Sequence, residues 1–136
     1  MSNFLQLGFL PRSYDCGLLV LRLCFGLLLL FNHGVPKLLR FSQMAAHFPD
    51  PLHVGSKISL VLVLIAELVC AVLVVIGLAT RLAALYIVIE LAIAFTLVHH
   101  MKLSGQGSGE LAIVYGTAFL VLVLTGAGRY SLDRSV

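Results

Sequence analysis

Four apolar runs divide this chain, and each is long enough to decide which solvent the chain folds in. They cover about 16–34, 57–78, 81–100 and 110–127, close to the roughly 20 residues a helix needs to cross a hydrocarbon layer of about 30 Å. Inside such a layer every backbone amide and carbonyl must be paired within the protein, so the runs are expected to be helices. Composition points the same way. Of the 136 residues, 60% are hydrophobic and 11% charged, against about 25% charged in an ordinary soluble domain. The mean hydropathy is +1.07. The expectation is one all-α domain over residues 1–136, an integral membrane four-helix bundle in contact with the lipid bilayer.

The net charge of +3 comes from Lys and Arg scattered between the apolar blocks. They read as interfacial anchors, which argues against nucleic acid as a partner. Cys16, Cys24 and Cys70 form no C-x-x-C pair and adjoin or lie within apolar runs, so they read as small packing residues. The opening MSNFLQLGFLPRSYD lacks a basic region followed by a small-residue cleavage site, so the first run is expected to be retained.

The connections differ in kind. GLATR (77–81) makes a tight turn between the second and third runs, and SGQGSG (104–109) is a flexible loop. In the first loop, PKLLRFSQMAAHF places Leu38, Leu39, Phe41, Met44, Ala45 and Phe48 at near-helical spacing before Pro49 and Pro51. That pattern predicts a short interfacial helix, with a plain loop covering the bundle as the alternative. The face carrying both termini and GLATR is called side A, and the opposite face side B. Side A holds Arg12, Arg81, Arg129 and Arg134; side B holds Lys37, Arg40, Lys57 and Lys102. The arginines close to the helix ends favour side A, and so both termini, as cytoplasmic.

Polar residues inside the runs are the candidate site. Arg22 interrupts LLVLRLCFGLLLLF, and Asn32, His33 and Lys37 follow where it stops. At about 100° per residue Arg22 and His33 share a face, which Lys37 would continue if the helix continued. A charge facing lipid near mid-membrane costs about 2.5–3.5 kcal/mol, so this stripe should face inward. By helical rise Arg22 lies about 9 Å from side A, Glu90 about 13 Å and Glu67 about 16 Å. Arg22 is therefore expected to neutralise Glu67 or Glu90. Near side B, His33, His99, His100, Glu110 and Tyr115 form a second polar set. His99 and His100 point about 100° apart and no H-x-x-x-H or E-x-x-H spacing occurs, so no metal site is expected. His33 is expected to line the side B mouth of an internal cavity that is polar around Arg22. Lys37 and residues 36–48 would roof it, with lipid access between helices. Gly26 and Gly116 could pack helices across a homo-oligomer.

The order RLCFGLLLLFNHGVPKL, then AELVCAVLVVIGLATRLAAL, then GELAIVYGTAFLVLVLTGAGRYSLD resembles the DoxX family of small four-helix bacterial membrane proteins. Arg22, His33, Lys37, Glu67, Arg81, Arg129 and Asp133 match its pattern. The resemblance implies a bacterial inner-membrane subunit linked to redox metabolism, in some members part of a thiosulfate:quinone oxidoreductase and in others a partner of oxidative-stress proteins. No flavin, haem or iron–sulfur motif is present, so an electron carrier would be a diffusible quinone or reside in another redox subunit. Three readings follow: a quinone-associated redox subunit, a non-catalytic bundle that binds or transports a lipophilic or cationic small molecule, and an assembly partner whose charges are structural. Under the first two the ligand-binding residues are Arg22, His33, Lys37, Glu67, Glu90, Glu110 and Tyr115.

Overall fold

The computed structural model describes residues 5, 7 and 11–135, so most of the opening stretch discussed above lies outside the described residues. The elements, in chain order, are α1 (Tyr14–Leu39), the one-turn α2 (Phe41–Met44), α3 (Ser56–Ile76), α4 (Thr80–Val98) and α5 (Glu110–Thr125). A 3-10 turn, Leu132–Ser135, ends the described chain. No strand occurs among the described residues. The first, third and fourth elements are long and apolar enough to cross a membrane; α5 is apolar but has 16 residues.

α1 begins at an N-cap, with Ser13 Oγ accepting from the Cys16 amide at 3.2 Å and Asp15 in the first turn. It does not stop at about residue 34, where the hydrocarbon run ends. It continues to Leu39, because residues Leu30–Gly34 widen into a π-helical turn just before Pro36. Proline cannot donate to the carbonyl four residues back, and the wider turn takes up the mismatch; the Val35 amide bonds Leu30 instead. The segment after the first span is thus divided. Val35–Leu39 extends α1, and a single turn, Phe41–Met44, is the short helix of the first loop.

α3 ends in a Schellman turn. Gly77 adopts φ +75°, a left-handed conformation that glycine enters without penalty, while the Leu78 amide bonds Leu73 and the Gly77 amide bonds Val74. Three residues later α4 starts, so α3 and α4 form the expected antiparallel hairpin.

The interior is built from small residues. Ala66, Ala71, Ala83, Ala84 and Ala112 are buried beside Leu29, Val74, Ile87, Phe119 and Leu122, which lets helices approach closely where lipid tails provide no hydrophobic drive. Leu82, Leu124, Phe31 and Ile89 face outward, as residues in contact with acyl chains should. Gly26 lies against Val75 and Gly34 against the backbone of Glu67, positions eight residues apart on each helix, so α1 and α3 pack antiparallel in constant register. Gly26, read from sequence as a subunit contact, is used inside the bundle.

Candidate functional site

The register of α1 against α3 makes the first ion pair. A Cβ on Gly34 would lie 2.5 Å from the Glu67 carbonyl oxygen, so only glycine permits this approach. One turn further on, Lys37 is brought over Glu67. Lys37 Nζ donates to both carboxylate oxygens, at 2.8 and 2.6 Å, with the Glu67 side chain 5% exposed and that of Lys37 21%. Helical side chains lean toward the N-terminus of their helix. From the side B end of α1, Lys37 therefore leans down into the membrane toward Glu67.

The same lean carries Arg22 the other way from the expectation. Its guanidinium points toward side A and meets no carboxylate. It donates to four carbonyls: Val74 (2.9 Å) and Val75 (3.1 Å) in the last turn of α3, Ala127 (2.7 Å) and Tyr130 (2.9 Å). Arg22 is 1% exposed. The predicted pairing of Arg22 with Glu67 or Glu90 is thus replaced by two separate arrangements, a guanidinium on carbonyls and an ammonium on Glu67. Arg22 and His33 both turn inward, but Arg22 lies in the side A core and His33, within the π-helical turn Leu30–Gly34, on the wall of the side B cavity.

A cavity of about 490 Å³ opens in the side B half. Arg22 and Glu110 do not line it; Glu110 is exposed at the start of α5. His33, Lys37, Glu67, Glu90 and Tyr115 do, among apolar neighbours such as Leu62, Ile89 and Ile93. The His33 ring meets Tyr115 edge-on, centroids 5.5 Å apart, and Tyr115 meets Phe25 in the same manner at 5.7 Å. One Glu90 carboxyl oxygen is buried with no hydrogen-bond partner among the described residues. His99 also lines the wall, with Nδ1 2.9 Å from the Gly107 carbonyl, while His100 is exposed. All three long spans carry a π-helical turn: Leu30–Gly34 and Ala94–Val98 in the side B halves of α1 and α4, and Ile65–Cys70 near the middle of α3. Such turns shift which side chains face inward, and two of these hold His33 and Glu67.

The side B end of the cavity is roofed by Phe48, Pro49, Pro51 and Leu52. Sequence reasoning missed what fixes this roof. Asp50 accepts from the Val54 and Gly55 amides (3.0 and 2.7 Å) and from Ser59 Oγ of α3 (2.7 Å). The Ser59 hydroxyl holds the Asp50 carboxyl below the usual range; burial opposes it, and the Gly55 and Val54 amides add to the lowering. D-x-x-x-x-G ending two residues before an apolar run was the available signal.

Side A is closed by different means. Asp133 accepts from the Ala79 and Thr80 amides at 2.6 and 2.9 Å, capping α4, and its own amide donates to Gly77 at 2.7 Å. Burial opposes ionisation of Asp133, but the Thr80 and Ala79 amides, with Arg22 nearby, hold its carboxyl below the ordinary range. Arg81 Nε donates to the Val123 carbonyl at 2.9 Å, and the Arg129 amide to Asp15 at 2.8 Å. Of the residues matched to the family pattern, His33, Lys37 and Glu67 therefore meet at the cavity, while Arg22, Arg81, Arg129 and Asp133 tie the side A end together.

The family model described as DoxX matches residues 17–100, from the first turn of α1 to the end of α4. An uncharacterized protein of Haemophilus influenzae is 36% identical over 78 residues, 52% of this chain and 56% of that protein, so the match spans about half its length. The inner membrane protein YphA of Escherichia coli K12 is 31% identical over 139 residues, covering 90% of this chain and 96% of YphA. No solved structure matches. With the family model covering α1 to α4 and YphA aligned nearly end to end, the chain belongs to the DoxX family.

Proposed function

We propose that this protein is a quinone-associated subunit of a redox system in the bacterial inner membrane, and that the side B cavity holds the quinone head. The observation that carries this reading is a mostly apolar cavity between the apolar spans, on whose wall His33, Lys37, Glu67, Glu90 and Tyr115 come together, with Ser59, Tyr86, His99 and Ser108 as its other polar residues. Its volume of about 490 Å³ falls in the range of small-molecule sites. A quinone requires an apolar slot, a donor to a carbonyl and, on reduction, protons. His33 and Lys37 can donate, and Glu67 and Glu90 are carboxyls that can pass protons on. Electrons would be exchanged with a separate redox subunit. The termini are assigned to the cytoplasmic side on the strength of Arg12, Arg81, Arg129 and Arg134.

The protein is purified in mild detergent and its lipid extract assayed for quinone by absorbance and mass spectrometry. Quinone in near-stoichiometric amount, reduced in His33→Leu, is expected; none above the lipid background overturns the reading. The unpartnered Glu90 oxygen favours a second reading, a site for a lipophilic amine whose ammonium donates to that carboxyl. A saturable thermal shift with a long-chain amine, with no quinone retained, selects it.

A further inference from the structure

We propose that the cavity is loaded sideways from the bilayer through a slot between α3 and α4 that Tyr86 latches, so that its ligand is a long-tailed amphiphile rather than a compact one. This rests on the quinone reading above and specifies which quinones: those whose tail remains in the slot while the head lies beside Lys37 and Glu67.

The cavity's other walls are built from packed elements, although Leu52 and Leu111 also line it and are 47% and 58% exposed. On side B, Pro49, Pro51 and Leu52 form the roof, and Asp50 staples it to the amides of Val54 and Gly55 and to Ser59 of α3. Toward side A the floor is the buried core, with Leu29 1%, Tyr115 7% and Leu91 8% exposed. Between α1 and α3 the backbones touch at Gly34 and Glu67. α4 and α5 pack together more extensively than any other pair of helices.

Between α3 and α4 the packing is uneven. The π-helical turn Ile65–Cys70 and the last turns of α3 lie against α4, whereas the first part of α3, Ser56–Leu64, has no comparable contact with it. The hairpin therefore parts toward side B. Leu62 and Ile89, on either lip, are 37% and 51% exposed and also line the cavity, so each is in contact with lipid and cavity at once. Tyr86 lies in this gap. Its hydroxyl donates to the Leu62 carbonyl of α3 at 3.2 Å, so the ring bridges the slot from α4 to α3. One neutral hydrogen bond holds it there, an interaction of the kind that opens and closes readily. An acyl or isoprenoid tail fits such a slot because both lips are apolar and face the membrane.

Two quinones sharing one head, one with a long isoprenoid tail and one with none, are bound to the protein in micelles of one detergent, and to Ile89→Trp, Leu82→Trp and Tyr86→Phe. Ile89→Trp narrows the slot at a lipid-facing position where the fold tolerates bulk. It is expected to weaken binding of the tailed quinone by about tenfold and leave the tailless one within about twofold. Leu82→Trp, at a position of α4 that is 71% exposed and outside the cavity lining, is expected to change neither. Tyr86→Phe is expected to speed exchange of tailed quinone with liposomes severalfold, with the thermal midpoint unchanged. Equal losses of both quinones in Ile89→Trp, an equal loss of the tailed quinone in Leu82→Trp, or an exchange rate unmoved by Tyr86→Phe overturns the slot while leaving the quinone site standing. Failure of the unmodified protein to bind either quinone instead overturns the reading on which the slot rests.

Discussion

The two ends of this bundle handle buried charge in opposite ways. At side A, Arg22 is held by four neutral carbonyls, Gly77 and Asp133 lock the hairpin turn, and the helices meet through alanines without a cavity of the side B kind. At side B, fifteen residues along the same helix, Lys37 neutralises one of two carboxyls on the wall of a cavity, beside the π-helical turns that hold His33 and Glu67. A guanidinium with its donors satisfied by carbonyls forms a closed structural unit. An ammonium on one carboxylate, with a second carboxyl nearby, leaves polar capacity for something else. The comparison teaches that side A fixes the frame, while side B keeps the polar capacity on which the proposed function draws.

The largest effect expected from breaking this division is at Arg22. Arg22→Met strips four carbonyls of their donors and leaves a gap in the side A core, costing about 3–5 kcal/mol by analogy with other one-sided losses of buried charge interactions. Thermal unfolding in detergent measures it. Because the frame rather than the site is damaged, the folded fraction should retain its ligand.

Lys37→Met comes next. Glu67 is left buried without its cation, a loss of about 3 kcal/mol, and the double variant with Glu67→Gln should regain much of it. If the double variant unfolds as early as the single one, the pair is not coupled and the contrast between the ends fails. Ligand occupancy should fall in both variants.

Gly34→Ala sharpens the comparison, since its Cβ would press on the Glu67 carbonyl. Pushing α1 off α3 should cost about 1–3 kcal/mol and lengthen the Lys37–Glu67 contact, so ligand occupancy falls along with stability. Gly17→Ala, where nothing lies within 4 Å, is the matched control and should change neither.

The smallest effect concerns pH. Asp50 and Asp133 both have carboxyls held below the ordinary range in the folded protein. Each therefore stabilises the fold above its unfolded value, and that contribution is lost as the pH falls through the lowered folded value. The thermal midpoint should be flat near neutrality and decline in acid. Asp133→Asn should shrink the part of this decline due to the side A clamp, and Asp50→Asn the part due to the roof.

Helix count, the α3–α4 hairpin and the membrane setting were legible because hydrophobic run length and the GLATR turn are properties of adjacent residues. The partners of the charges were not. Counting rise from the helix ends placed Arg22, Glu67 and Glu90 within several Å in depth, but depth at Cα ignores the lean of a long side chain. In α1 that lean sends Arg22 out toward side A and Lys37 inward. The first run ends at about residue 34, where the hydrocarbon stops, and the helix's passage through Pro36 to Leu39 depends on a π-helical turn that no spacing rule reveals. Glu110 was grouped with the histidines from its position at a helix start, yet it projects away from the cavity. The sequence grouped Glu67 and Glu90 with Arg22 and placed His33 and Tyr115 in a second set near side B; the structure brings these four, with Lys37, to the wall of one cavity, as polar groups within apolar spans turn inward.

The four carbonyls around Arg22 also impose an order on biogenesis. Two of them belong to α3 and two, Ala127 and Tyr130, to the segment after α5. The arginine enters the membrane with the first helix to be synthesised, whereas half of its partners are translated more than a hundred residues later. At about 5–20 residues per second this helix spends several seconds with its guanidinium only partly satisfied. Nascent chains interrupted before residue 130 would carry that exposed charge within the bilayer, a feature by which membrane quality control could distinguish unfinished chains from finished ones.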